Sequence, residues 1–182
     1  AEATESRVVE VQLGGRVELT LSNQEIALRS LSVDTVGVSG EVNIEVVKLS
    51  GTSTDLGAPS AERVYQYLHV GHSDLDPDAI SSALIAFEVS REWLESHGYA
   101  EADIALERYS TGWTQLPTRV KGRVETHVRY ESLSPGLSLF AITADSVDSR
   151  LTRIISGPQG GAATPAPTAT ATLSPTSTPT PT

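Results

Sequence analysis

Cysteine and methionine are both absent from this 182-residue sequence. Without cysteine the chain has no disulfides, no zinc–thiolate or iron–sulfur ligation and no thiol nucleophile. That absence does not place it in the cytosol, because prokaryotic surface proteins commonly carry no cysteine. Lysine is nearly absent too. Of 13 basic residues only Lys48 and Lys121 are lysine, an arginine bias that fits a high-GC or extremophile source. With 23 acidic residues the formal net charge is -10. This balance argues against a nucleic-acid partner, which requires a basic face to displace counterions from phosphates. It suits an exterior solvated in salty medium or decorated by cations. No run approaches the ~20 apolar residues that cross a bilayer. Asn23 and Asn43 are each followed two residues later by Glu, so no Asn-x-Ser/Thr sequon exists.

The length suits one domain with an appendage better than two domains. Ala1 in first place is what cleavage of a signal peptide leaves, and equally what a trimmed tag leaves. Residues 1–156 read as a body of strands. Arg16 to Leu21 alternates strictly, with Val17, Leu19 and Leu21 on one face. Val8 to Leu13 precedes it across Gly14-Gly15, which predicts a two-residue hairpin. Glu41 to Val47 repeats the alternation, and so does Arg123 to Tyr130, with Val124, Val128 and Tyr130 inward. Period-two patterning with one wet face predicts an all-β fold, an antiparallel β-sandwich in the style of immunoglobulin domains. One short helical connection is expected from Ser90 to Gly98, opened by a Ser N-cap and closed by a Gly C-cap. Trp93 and Leu94 would have to anchor its two turns.

Residues 157–182 differ in kind. A glycine-rich joint leads into Ala162 to Thr182, which contains only Thr, Pro, Ala and Ser with one Leu. Nothing there offsets ordering entropy by burial, so a disordered or polyproline-II stalk is expected, reaching roughly 60 Å at about 3.1 Å per residue. Thr164, Thr168, Thr170, Thr172, Thr176, Thr178 and Thr180 are the candidate O-glycosylation sites.

Few residues suggest chemistry. Asp74, Asp76 and Asp78 alternate in a loop, as a calcium site requires, but Ala79 and Ile85 stand where an EF-hand needs Gly and Glu. Acidic turn residues are the plainer reading, and no other cofactor is expected. His69 and His72 form His-x-x-His without the Glu of a zinc protease, and His97 and His127 are isolated. Glu88, Glu92 and Glu95 lie on or beside the short helix. No Gly-x-Ser-x-Gly elbow or phosphate-binding loop occurs, so the chain reads as a non-enzyme. Phe87, Trp93, Tyr109, Trp113, Tyr130 and Phe140 read as core, the alternative being a sugar-binding aromatic platform. Gly112-Trp113 marks a hairpin, Leu116-Pro117 a strand end, and Leu137 to Ile142 is apolar enough on both sides to be a central strand.

Several segments form an ordered set: Val64 to Val70, Phe87 to Leu94, Ile104 to Tyr109, Gly112 to Thr118 and Ser134 to Ile142. In order and spacing this set resembles the archaeal PGF-pre-PGF domain. The resemblance spans Val64 to Ile142 and extends back to about Arg7 only in general style. It implies a secreted or S-layer-associated surface protein with a Thr-rich stalk, and it implies no catalytic residue. The family's Pro-Gly-Phe signal is not within this sequence, so the mode of anchoring stays open. The expected function is a non-catalytic extracellular structural protein of the archaeal cell surface. It would act as a stalked ectodomain or as a self-assembling filament or layer subunit, with Glu5 to Leu13 as a strand able to complete a neighbour's sheet. The alternative is an adhesion module binding surface carbohydrate or another envelope protein.

Overall fold

Residues 3–11, 15–52 and 54–148 are described by a computed structural model, and most of them lie in strands. Six strands form one sheet, in the order β1 (Ala3–Glu10), β4 (Glu41–Leu49), β5 (Arg63–Ser73), β11 (Leu139–Ala144), β7 (Ile104–Tyr109) and β8 (Trp113–Leu116). Five form the other: β2 (Arg16–Thr20), β3 (Leu28–Thr35), β6 (Ile80–Ser90), β10 (His127–Ser134) and β9 (Thr118–Arg123). Every pairing is antiparallel. The sheets pack face to face around one apolar core, the all-β sandwich that the alternation predicts.

Alternation explains which side each strand buries. Val17 and Leu19 of β2 and Val42, Ile44 and Val46 of β4 are buried, while Arg16, Glu18, Glu41 and Glu45 face out. Phe87 and Tyr130 stand opposite each other on β6 and β10, with rings stacked at 5.4 Å. Strand β11 sits between β5 and β7, a central position consistent with its two apolar sides. Prolines mark the crossings between sheets. Leu116 ends β8 in one sheet and Thr118 begins β9 in the other, with Pro117 between them; Pro135-Gly136 carries β10 over to β11.

The helical connection is α1 (Arg91–His97). Ser90 caps it by accepting from the Trp93 amide, and Gly98 closes it in the left-handed region at φ 72. Leu94 is its buried anchor. Trp93 is only half-buried, and its ring meets those of Tyr65, His97 and Tyr99 at one end of the sandwich.

Three expectations are corrected. The first is the hairpin across Gly14-Gly15: β1 and β2 belong to different sheets, β1 pairing with β4 and β2 with β3. Gly14 lies outside the described residues. Gly15 accepts from both the amide and the hydroxyl of Thr35, at 2.6 and 2.7 Å, and holds φ 78. A Cβ there would lie 2.2 Å from the Thr35 carbonyl oxygen, so the position requires glycine. Strand β1 therefore fills the β4 edge of its own chain. Second, Arg123 to Tyr130 is not one strand. Polar Glu125 and Thr126 lie between β9 and β10, and the Val124 amide donates to His127 across that bend. Val128 and Tyr130 are buried as expected, but Val124 is half-buried. Third, of the six aromatics read as core, Phe87, Tyr130 and Phe140 are buried, whereas Trp93, Tyr109 and Trp113 pack at the sandwich surface.

Register also fixes where the outer strands lead. Ala3, Lys48, Leu68 and Phe140 stand at one level across β1, β4, β5 and β11. From there β11 continues to Ala144 opposite Arg63, so Ala3 and Ala144 sit at the same end of the sandwich.

Candidate functional site

The residues singled out for chemistry are kept apart or already engaged. Asp76 caps a short 3-10 turn, Pro77–Ala79, by accepting from the Asp78 amide at 3.0 Å. Asp74 adopts φ 62 and accepts from the Ser73 hydroxyl. Among the described residues no three His, Asp or Glu side chains gather closely enough to hold a metal ion. His69 and His72 have opposite parity on β5: His69 faces out and is exposed, and His72 lies on the side of Leu68 and Val70. Their spacing would suit a helix, not the strand they occupy. Glu92 and Glu95 are exposed on α1, remote in role from Glu88 on β6. The seven candidate glycosylation threonines lie outside the described residues. Among the described residues no helix is long and apolar enough to cross a membrane.

Trp113 stands opposite Tyr109 on the β7–β8 hairpin, and its ring meets those of Tyr109 and Tyr67. Its indole N–H donates to the Gly57 carbonyl at 3.2 Å. The three rings are tilted or edge-on to one another, so they form a packed cluster and not one flat platform. Beside them Glu107 is buried at 1% exposure and accepts from the amide and hydroxyl of Ser60. The chain segment between β4 and β5 thus folds over this half of the six-stranded sheet.

The five-stranded sheet offers a different outer face. Three adjoining hollows of about 320, 250 and 390 Å³ run across it. Register places Thr20, Ser30, Ala86, Glu131 and Arg119 on one rung, and Glu18, Ser32, Leu84 and Leu133 on the next. Small side chains therefore floor a trough whose walls are charged. On one side Glu88 accepts from Arg129 at 2.7 Å and from Arg29 at 3.2 Å. On the other, Glu131 pairs with Arg119 and with Lys121, the latter at 3.2 Å. Burial pushes the Glu88 carboxyl up, but its two guanidinium partners outweigh this and hold it below the usual range. The hydrogen bond from Arg119 does the same for Glu131, against a burial cost and with help from Lys121. Each carboxylate has two cations, so four cations serve two acids on a chain of net charge -10. Leu84 and Leu133 face each other at the trough's end, 39% and 53% exposed.

The outer side of β1 and β4 has the opposite character. Glu10 stands directly opposite Glu41, Val8 opposite Asn43, and Ser6 opposite Glu45. Like charges directly opposite one another cost stability. Among the described residues none of Glu10, Glu41 and Glu45 belongs to an ion pair. Val8 is 65% exposed between them.

Set against models of known families, curated proteins and solved structures, the chain matches none of them. Sequence reasoning passed over both faces. The one local signal was Arg119, Lys121 and Arg123 alternating along β9; the trough itself draws on residues from β2, β3, β6, β9 and β10 and needs their register to appear.

Proposed function

We propose that this chain is a non-catalytic structural protein of an archaeal cell surface. It works as a stalked ectodomain or as a subunit of a self-assembling filament or layer. The observation that carries the reading is the unequal pair of outer faces: a cation-rich trough on one sheet and an acidic ribbon on the other, in a chain that is acidic overall. A β-sandwich supplies rigid faces, and contact through such faces requires no reacting group. The composition of 157–182 supports a glycosylated stalk, and the likeness of Val64 to Ile142 to the PGF-pre-PGF domain supports the extracellular, archaeal setting.

Protease shaving of intact cells tests the address. Body peptides released by external protease, with hexose additions on the tail threonines from Thr164 to Thr180, are the expected result. Recovery only after lysis would overturn the reading. Trp113 favours a second reading, an adhesion module for surface carbohydrate or an envelope protein, because its half-exposed ring lies beside Tyr67 and Tyr109. On a glycan array, binding that disappears in Trp113→Ala would establish it.

A further inference from the structure

Building on the self-assembling form of that reading, we propose that copies of this chain associate head to tail, the trough of one copy seating on the β1/β4 ribbon of the next. Charge complementarity selects the partner. In the trough four cations, Arg29, Arg119, Lys121 and Arg129, stand against three carboxylates, Glu18, Glu88 and Glu131, and Arg129 and Lys121 are both more than half exposed. On the ribbon, Glu10 and Glu41 repel each other, and among the described residues neither has an ion-pair partner. A basic face from outside relieves that repulsion, and the only protein certain to be present at high local concentration on such a surface is another copy.

Shape and polarity agree. The trough's floor of Thr20, Ser30 and Ala86 admits the low ridge of an edge strand, and its lining has no exposed ring for a sugar to stack on, since Phe87 and Tyr130 are buried. Leu84 and Leu133 give exposed Val8 an apolar partner. The two surfaces lie on opposite sheets of one sandwich, so the contact is heterologous. Each copy keeps one face open after pairing, so the series runs past a dimer into an open chain or a larger ring.

Sedimentation velocity of the purified chain over a concentration series tests this. At low ionic strength the average mass should climb past the dimer. At about 1 M salt, where the screening length falls to about 3 Å, it should return to monomer. Two neutralised variants sharpen the test: Arg129→Gln with Lys121→Gln disables the trough, and Glu41→Gln with Glu45→Gln disables the ribbon. Each alone should lose every species heavier than monomer, and a one-to-one mixture should give a discrete dimer, because only one complementary pair of faces survives. The recovered dimer also shows that both variants are folded; should it fail to form, native circular dichroism and melting of the two variants make that failure count against the proposal. If either variant is misfolded, the pair Leu133→Ser and Val8→Ser takes its place, with the same expectations. A wild type that stays monomeric, or stops at a dimer, overturns the proposal. If shaving still strips such a monomer from intact cells, the surface reading stands without the head-to-tail contact.

Discussion

Ala141 and Ala86 both point away from the sandwich interior, yet Ala141 is fully buried and Ala86 only half-buried. Ala141 stands on β11 between Tyr67 and Glu107, under the segment that runs from β4 to β5. Ala86 stands on β6 between Ser30 and Glu131 with no such cover, at the floor of the trough. The covered face tolerates an apolar outer row, and it holds the buried Glu107 carboxylate with the amide and hydroxyl of Ser60. The bare face instead surrounds its carboxylates with cations that reach into water. How a sheet dresses its outer side thus depends on what the connecting segments cover, not on strand pattern alone.

Substituting matched positions breaks this comparison most directly. Ala141→Glu buries an unpartnered charge and should cost at least about 3 kcal/mol, whereas Ala86→Glu among arginine and lysine side chains should cost no more than about 1 kcal/mol. Urea midpoints of the two variants read the difference, and equal losses would show that the cover does not exclude water. Glu107→Ala should cost about 1–3 kcal/mol by removing the buried acceptor of the Ser60 amide and hydroxyl, and hydrogen exchange at the Ser60 amide should accelerate.

Glu5 sharpens the comparison at the uncovered edge of the six-stranded sheet. Its carboxylate accepts from the amides of Asn23 and Ser22, the Ser22 hydroxyl and Arg7, so it ties β1 to the β2–β3 turn of the other sheet. The Asn23 amide contributes most, burial opposes it, and Arg7 and Ser22 add to bring the carboxyl down to about 2 from 4.5. A depressed folded value stabilises the fold above the unfolded value, and that contribution fades as pH falls through the folded one. Glu5→Gln should therefore cost about 2 kcal/mol at neutral pH. The gap from wild type should hold down to about pH 4.5 and close towards pH 2, as followed by thermal melts. The smallest effect is expected from Arg129→Gln, under about 1 kcal/mol, because the pair is solvent-facing and Glu88 keeps Arg29.

What was legible in the sequence follows from how local each signal is. The alternation of Val17 and Leu19, or of Val42, Ile44 and Val46, needs only its own strand to be read, and so does the Ser90 to Gly98 helix with both caps. The Pro117 and Pro135 breaks are equally local. Pairing is not local: a double glycine permits a hairpin, but that register would set polar Gln12 and Glu10 opposite buried Val17 and Leu19, whereas the observed one turns Glu5 and Arg7 to the inward side of β1. The strand instead takes an edge where those charges meet the Ser22 hydroxyl and nearby backbone donors. Glu107 reads as an outward charge until the segment around Ser60 is placed over it. The trough was illegible because its charges come from Arg29, Glu88, Arg119, Lys121, Arg129 and Glu131, which only register brings onto neighbouring rungs.

The shared position of Ala3 and Ala144 bears on how the domain carries load. Tension applied through these two strand ends enters and leaves at one end of the six-stranded sheet, along strands whose hydrogen bonds run crosswise. Those bonds are then loaded one rung after another, as in an opening zipper, and not side by side as in shear. Pulled by its two ends, the sandwich should yield by peeling β1 from β4.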